Sequence, residues 1–388
     1  MNASSVSRWL KGFFLALWTF PLLADSPAES LREAARTLHG DAWKGQKVFF
    51  DVQHGGCIQC HAVAGYGGRL GPDLTTVGMR LNRSALLEAL LEPSKQVAPA
   101  WRLVELELPG GARLEGLIQE SYAGGIRLLD RQGLEHIVPK GQIQRRKRTS
   151  RSWMPERCAL SLAPEPFVDL VAYCDSLKSD PRKFERKTPP AGFKSWFNGR
   201  DLLEFKPTSG WEAQNGILRH LGRGDHLWHR TDLRDFELRF EWRWMDAPKW
   251  ESFPVIASSG YELQDKEGKP MTERVLDSGD SGVLLRGLFK AQANLFCYPV
   301  GSGEFWEYRE AAVGKDRVPF TPRVRADRPV GQWNQMTLRL VGNRVSIWLN
   351  GIEVVNETEL PGLPAKGPIG FQHEHGRFEL RHLWVKEF

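Results

Sequence analysis

The chain has 388 residues, of which 41% are apolar, 26% charged and 11% aromatic. At roughly 150 residues per domain, that is enough for two or three domains with separate cores; a disordered, collagenous or coiled-coil chain is excluded. The net charge is +6, yet the densest basic run, Arg145-Arg146-Lys147-Arg148, is only four residues long. So short a run reads as a solvated face or a guide for an acidic redox partner, and no nucleic-acid partner is expected.

Residues 1–24 read as a secretory signal. Arg8 and Lys11 form a basic start, Gly12 to Ala24 is nearly all apolar, and Ala24 is a small residue suited to cleavage. The apolar run is too short for a comfortable membrane span. Pro21 and the polar stretch after Ala24 argue against an uncleaved anchor. No second membrane segment follows, so no transmembrane segment is expected after cleavage. The expected location is periplasmic or secreted. Five cysteines are too few for a disulfide scaffold, but export places them in an oxidising compartment.

Helices are expected at Ser30 to His39, Asp41 to Asp51 and Ser84 to Leu91, the last stopped by Pro93. The apolar period then changes from 3.6 to 2. Val104, Leu106 and Leu108 alternate, Pro109-Gly110-Gly111 turns, and strands follow at Leu114 to Ile118, Ile126 to Leu129 and Leu134 to Val138. This is a β insertion at about 101–147. A helix returns at Glu165 to Leu177. Residues 179–191 are rich in Lys, Arg and Pro and read as a linker.

From 192 to 388 the pattern is β. Phe236, Leu238, Phe240, Trp242 and Trp244 alternate with charged residues, which predicts a half-buried antiparallel strand. Gly342-Asn343 and Asn350-Gly351 mark hairpin turns. Many strands without a long helix predict two packed antiparallel sheets.

The strongest chemical signal is Cys57-Ile58-Gln59-Cys60-His61. Two thiols at this spacing can add to the two vinyl groups of haem, and the adjacent His then lies under the iron. Zinc or a redox dithiol is the alternative, but zinc wants four ligands and no second cysteine pair follows. For the sixth position the candidates are Met154, in Ser152-Trp153-Met154-Pro155, Met79 and His54; Met154 is preferred for its loop context. Cys158 and Cys174 either pair as a disulfide or remain thiols, and Cys297 is expected to be a buried thiol.

Residues 41–178 resemble the c-type cytochrome family, in a variant with a β insertion before the distal Met. Gly71-Pro72-Asp73-Leu74-Thr75 is similar to the loop after the attachment site, and Leu170-Val171-Ala172-Tyr173 to the closing helix. The resemblance implies a mainly α cytochrome domain, covalently attached haem c on Cys57 and Cys60, and one-electron transfer. It also implies that the Pro72 carbonyl accepts a bond from His61, with His61 and Met154 as the iron ligands.

In 192–388, three segments mix aromatic and hydroxyl-binding residues: Asp280 to Arg286; Gln292, Asn294 and Gly301 to Arg309; and Gln372 to Gly376. Such a mix suits a carbohydrate groove, although an ordinary sheet surface reads the same way. The region resembles the 3-keto-disaccharide hydrolase-like family through Phe197-Asn198-Gly199-Arg200-Asp201-Leu202, Ser281-Gly282 with Arg286, Trp333-Asn334, Leu349-Asn350-Gly351 and Gly370 to Gly376.

That resemblance implies an all-β sandwich of concanavalin or laminin-G type acting on 3-keto-glycosides. A C3 ketone acidifies the C2 proton, so a base and a group to hold the enolate are needed. His375, His373, Glu304 and Asp280 are candidate bases. Arg286 and Arg309 are candidates for the enolate or a hydroxyl, and a divalent metal in the sandwich is an open possibility. The expectation is a two-part exported haem protein, fed by a redox partner such as a periplasmic sugar dehydrogenase, that binds and cleaves a carbohydrate substrate. The alternative is an electron-transfer protein with a non-catalytic carbohydrate-binding sandwich.

Overall fold

The computed structural model describes residues 26–53, 56–156, 158–178, 180 and 187–388. The signal segment, His54 and most of the linker therefore lie outside the described residues. The first helix, α1 (Pro27–Thr37), begins earlier than periodicity suggested, because the Ser26 hydroxyl accepts the Glu29 N–H and Pro27 occupies the first turn. In α2 (Ala42–Phe50) the Asp41 carboxylate accepts the N–H groups of Trp43 and Lys44. A single turn, α3 (Cys57–Cys60), carries the two thiols and leads into a small hairpin, β1 (Ala62–Val63) and β2 (Tyr66–Gly67). Then come α4 (Val77–Arg80), α5 (Arg83–Leu91) and, beyond the insertion, α6 (Pro164–Ser176).

The last of these organises the helical part. Leu170 and Tyr173 of α6 pack with Phe49, Val77 and Leu86, while its Phe167, Val168 and Val171 pack with Leu31 and Leu91. Gly45 of α2 meets α6 so closely that a Cβ there would sit 1.9 Å from the Asp169 carbonyl oxygen. Only glycine permits that approach.

The insertion is a five-stranded antiparallel sheet with its own core of Val104, Leu106, Ile126, Leu128 and Val138. Its strands are β3 (Val104–Glu107), β4 (Arg113–Tyr122), β5 (Gly125–Leu129), β6 (Glu135–Pro139) and β7 (Arg145–Arg148), in the order β6-β5-β4-β3-β7. The basic run is thus an edge strand, with all four side chains exposed. Such a charged edge discourages pairing with another chain.

The remaining chain forms β8 (Lys194–Ser195), β9 (Trp211–Gln214), β10 (Ile217–His220), β11 (Leu227–Leu233), β12 (Phe236–Trp244), β13 (Lys249–Pro254) and β14 (Thr272–Asp277). It continues through β15 (Asp280–Leu285), β16 (Leu288–Phe296), a short helix α7 (Trp306–Ala311), β17 (Asn334–Val341), β18 (Arg344–Leu349), β19 (Ile352–Glu359), β20 (Gly367–Phe371) and β21 (Phe378–Glu387). One sheet runs β19-β18-β17-β12-β21-β10-β9, with β8 on β21; the other runs β11-β20-β15-β16. A single apolar core fills the space between them, with Phe236, Leu238, Phe240 and Trp242 facing Val283, Leu285, Leu295 and Phe371. The β13–β14 hairpin belongs to neither sheet. No helix among the described residues is long and apolar enough to cross a membrane.

One strand departs from expectation. The charged face of β12 was expected to be exposed, yet Glu241 and Arg243 are buried. The cause lies in the next strand: β21 brings Glu379 and Arg381 beside them. Arg381 Nε lies 2.7 Å from Glu241, Arg243 Nη2 lies 2.7 Å from Glu379, and both guanidinium groups lie over the Trp333 ring. Lys187, from the end of the linker, caps Glu241 at 2.8 Å. Burial opposes the Glu241 charge, but its His382, Lys187 and Arg381 partners win and hold its pKa at about 2.

A carboxyl held below its ordinary value stabilises the fold above that ordinary value, and the contribution fades as pH falls toward 2. Replacing Glu241 with Gln strands the buried Arg381 cation and releases the part-exposed Lys187. It is expected to cost roughly 3–5 kcal/mol, read as a lowered denaturation midpoint at neutral pH; the gap should narrow under acid.

Candidate functional site

Strand β16 alternates strictly. Ala291, Ala293 and Leu295 enter the core, while Lys290, Gln292, Asn294 and Phe296 face the other way. That outward face floors a cleft of about 430 Å³. Neighbouring β15 adds Asp280 at its start, directly opposite Phe296. It also adds Gly282, where a Cβ would strike the Gln292 side chain at 2.4 Å. An amide chain crosses the floor: Gln292 donates to Asn294 Oδ1 at 2.8 Å and to Gln372, and Gln372 donates to Glu374 at 3.2 Å.

One wall is aromatic. Tyr298 stacks on Phe253 of β13 at 3.9 Å and on Phe296 at 4.5 Å. Its hydroxyl donates to Asp280 Oδ2 at 3.0 Å. Burial pushes the Asp280 carboxyl up to about 7, and the Tyr298 bond only partly offsets this. At the far end Glu304 is buried and paired with Arg309 Nε at 2.6 Å. Burial raises the Glu304 pKa, while Arg309 pulls it back. Trp306, half exposed, stands at the mouth.

Of the residues singled out from sequence, Asp280, Glu304 and Arg309 line this one cleft. The two histidines are placed differently. After β20 the alternation sends Gln372 and Glu374 into the cleft and His373 to the other side, where its ring packs on His220 at 4.6 Å. His375 stands at the rim, half exposed, with Nε2 3.4 Å from Asp277; its backbone bridges that of Asp280. Arg286 is a correction. It lies at the end of β15 away from the cleft, and its guanidinium bonds the carbonyls of Gly342 (2.7 Å), Pro364 (2.9 Å) and Arg234 and the Asp235 carboxylate (3.2 Å). Those acceptors give it a structural task.

Sequence reasoning missed Tyr298, Phe253 and Asp277. Tyr298 was discoverable, since it continues the outward parity of β16 two residues beyond Phe296. Phe253 was not, because the hairpin that carries it is joined to the cleft only by tertiary packing. Among the described residues, no group of three or more His, Cys, Asp or Glu side chains is arranged to hold a metal ion.

The thiol turn is a separate place. Cys57 and Cys60 begin and end α3, and His61 Nδ1 lies 2.9 Å from the Pro72 carbonyl oxygen. That contact leaves Nε2 for a ligand, and burial lowers the His61 pKa toward the neutral ring. Gly71 lies against the ring, where a Cβ would come within 2.5 Å. Met154 is half-buried, its N–H bonded to Ser152 Oγ at 3.1 Å, and the neighbouring Trp153 indole N–H is buried without an acceptor. Met79 is 68% exposed. Of these groups Cys57 packs against the apolar cluster around Phe49 and Leu170; two thiols and an anchored imidazole are the donor set that a covalently held haem would use. Cys158 and Cys174 are free thiols. Burial first, and Cys158 second, push the Cys57 thiol up to about 12.

Comparison with solved structures returned a glycosyl hydrolase-like protein of Parabacteroides distasonis at 15% identity and TM-score 0.36, covering 51% of this chain and 94% of that one. It also returned a carbohydrate-binding module of Bacillus subtilis at 12% identity and TM-score 0.29, covering 50% and 96%. No curated protein matches the chain. Residues 192–386, half the chain, match the 3-keto-alpha-glucoside-1,2-lyase-like domain, and the chain belongs to that family.

Proposed function

We propose that the sandwich binds 3-keto-glycosides and cleaves them by removal of the C2 proton and elimination of the C1 substituent. The observation that carries this reading is Asp280: a carboxyl with a pKa of about 7, facing a sugar-sized cleft and bonded by Tyr298. A base poised near neutrality is what abstraction beside a ketone requires.

Phe253, the outer ring of the aromatic stack, and Trp306 at the mouth meet the apolar face of the pyranose, and the Gln292, Asn294 and Gln372 amides bind its hydroxyls. Asp280 takes the C2 proton, and the electron pair moves onto the C3 oxygen, where Lys290 and the amide donors meet the developing charge. The pair then returns to form the C1–C2 double bond as the bond to the leaving oxygen breaks. Protonated Asp280 returns its proton to that oxygen. Water adding across the double bond completes hydrolysis.

The test is release of aglycone from a 3-keto-glucoside, with and without a chelator. Binding without any release would hand the sandwich to the non-catalytic carbohydrate-binding reading. Asp280 works ionised, so kcat/KM is expected to climb with pH to a plateau just above 7. Asp280→Asn should lose about 10²–10⁴-fold. Tyr298→Phe removes a bond that favours the carboxylate, so the rising limb should move to higher pH.

We further propose that Cys57 and Cys60 hold haem c by thioether bonds in an exported protein, with His61 and Met154 as the residues that would ligate its iron. When bound, the haem supplies one-electron transfer. The chain's own part is to fix the His61 ring through Pro72 and to exclude water with the cluster around Phe49 and Leu170. A partner dehydrogenase that oxidises a C3 hydroxyl would yield both the ketone and the electrons. Purified exported protein should carry a mass increment of one haem, lost in the Cys57→Ala/Cys60→Ala double variant. Met154→Ala should lose the methionine-to-iron band at the red end of the spectrum.

A further inference from the structure

The β13–β14 hairpin supplies Phe253 to the aromatic wall, yet it is bonded into neither sheet. Its inner strand is anchored by buried Val275 and Leu276, and its connecting loop by Arg309 and Arg317 on the Gly260 carbonyl; the part that carries Phe253, on the outer strand, needs a tie of its own where Phe253 meets Tyr298. Directly across the hairpin from Phe253 is Glu273. Antiparallel partners project to the same side, so the two side chains stand together. Glu273 Oε1 lies 2.6 Å from Lys47 Nζ, which belongs to α2 in the helical part of the chain.

That helix is itself fastened to the sandwich. Gln46, 2% exposed, donates to the Val330 carbonyl at 3.0 Å and accepts the Val330 N–H at 2.9 Å, as a strand would. Trp43 receives two cations: Lys47 Nζ at 3.9 Å and the buried Arg325 guanidinium at 3.1 Å from the ring centre. A line of contacts therefore runs from α2 through Lys47, Glu273, Phe253 and Tyr298 to Asp280.

We propose that Lys47 and Glu273 are positioning residues, through which the helical part holds the hairpin wall and so keeps Tyr298 bonded to Asp280. This rests on the glycoside-cleaving reading of the cleft. Loss of the pair loosens the Phe253 end of the hairpin, the stack of Phe253 on Tyr298 slackens, and the Tyr298 hydroxyl loses its fixed direction toward Asp280. The consequence is a base whose ionisation moves to higher pH, together with a slower chemical step.

The test uses the full chain with Lys47→Glu, Glu273→Lys, the exchanged pair Lys47→Glu/Glu273→Lys, and the milder Glu273→Gln in case a reversed charge prevents folding. Two quantities are read: amide hydrogen exchange over residues 249–277, and the pH profile of kcat and KM on a 3-keto-glucoside. Each charge reversal is expected to speed hairpin exchange by about tenfold, to move the rising limb alkaline, and to lower kcat more than it raises KM. Glu273→Gln should fall between, and the exchanged pair should recover both readouts. Wild-type exchange and an unmoved limb in the single variants would overturn the proposal, as would failure of the exchanged pair to recover. A wild-type chain that releases no aglycone at any pH defeats the glycoside reading instead, and the exchange data then decide the Lys47–Glu273 contact separately.

Discussion

The sandwich site depends on one carboxyl. Asp280 is half-buried beside the aromatic stack, and a single hydroxyl, that of Tyr298, bonds its Oδ2. A carboxylate so placed carries a desolvation cost that one neutral donor cannot offset, so its proton is held close to neutral pH. Much of the surrounding structure serves to keep this arrangement. β16 must be small and apolar on one side to pack the core, so that its other side can present amides and Phe296 to the cleft. Ala291 and Ala293 meet that demand; larger residues there would lift the strand off the core and shift the floor.

The same economy governs the outer face of the large sheet. Buried Glu241, Glu379, Arg243 and Arg381 would be a liability in a free sandwich, because each is costly unless paired. They are paired across β12 and β21, roofed by Trp333, and capped by Lys187. Beside Trp333, Gln332 donates to Ser176 of α6 at 3.1 Å. The polar face of the sandwich is thus closed partly by residues that precede it in the chain. The helical part and the sandwich are packed surfaces of each other, which ties the geometry of one to the placement of the other.

Periodicity made most elements legible. Phe236 to Trp244 as a strand, the Asn350-Gly351 turn (φ 52° and 86°) and the closing helix were all readable from local pattern, because local pattern causes them. What could not be read was which face a neighbour would cover. Glu241 and Arg243 look solvated in a single strand and become buried only when Glu379 and Arg381 arrive from a segment about 140 residues away. Arg286 sits in a family-like phrase beside Ser281-Gly282, but the positive φ of 48° that follows β15 turns its side chain toward backbone carbonyls and away from the cleft. The His373-Glu374-His375 phrase drew attention to its imidazoles, and the strand parity delivered Glu374 to the cleft instead.

The two candidate sites approach one another through backbone as well as side chains. Tyr66, on β2 of the small hairpin after the thiol turn, donates its hydroxyl to the Met245 carbonyl. Met245 follows Trp244, whose ring lies so close to residue 279 that a Cβ there would come within 2.4 Å of it and 2.9 Å of the His375 carbonyl. Gly279 is therefore obligatory, and it immediately precedes Asp280. The rim of the cleft is in this way wedged between Trp244 and the 373–376 segment, with the loop after His61 pressing on the far side of the same strand end. A displacement of the thiol turn has a short, densely packed route to Asp280. The hairpin route through Lys47 reaches the same carboxyl from the other direction, so Asp280 is braced twice by a part of the chain that does not itself line the cleft.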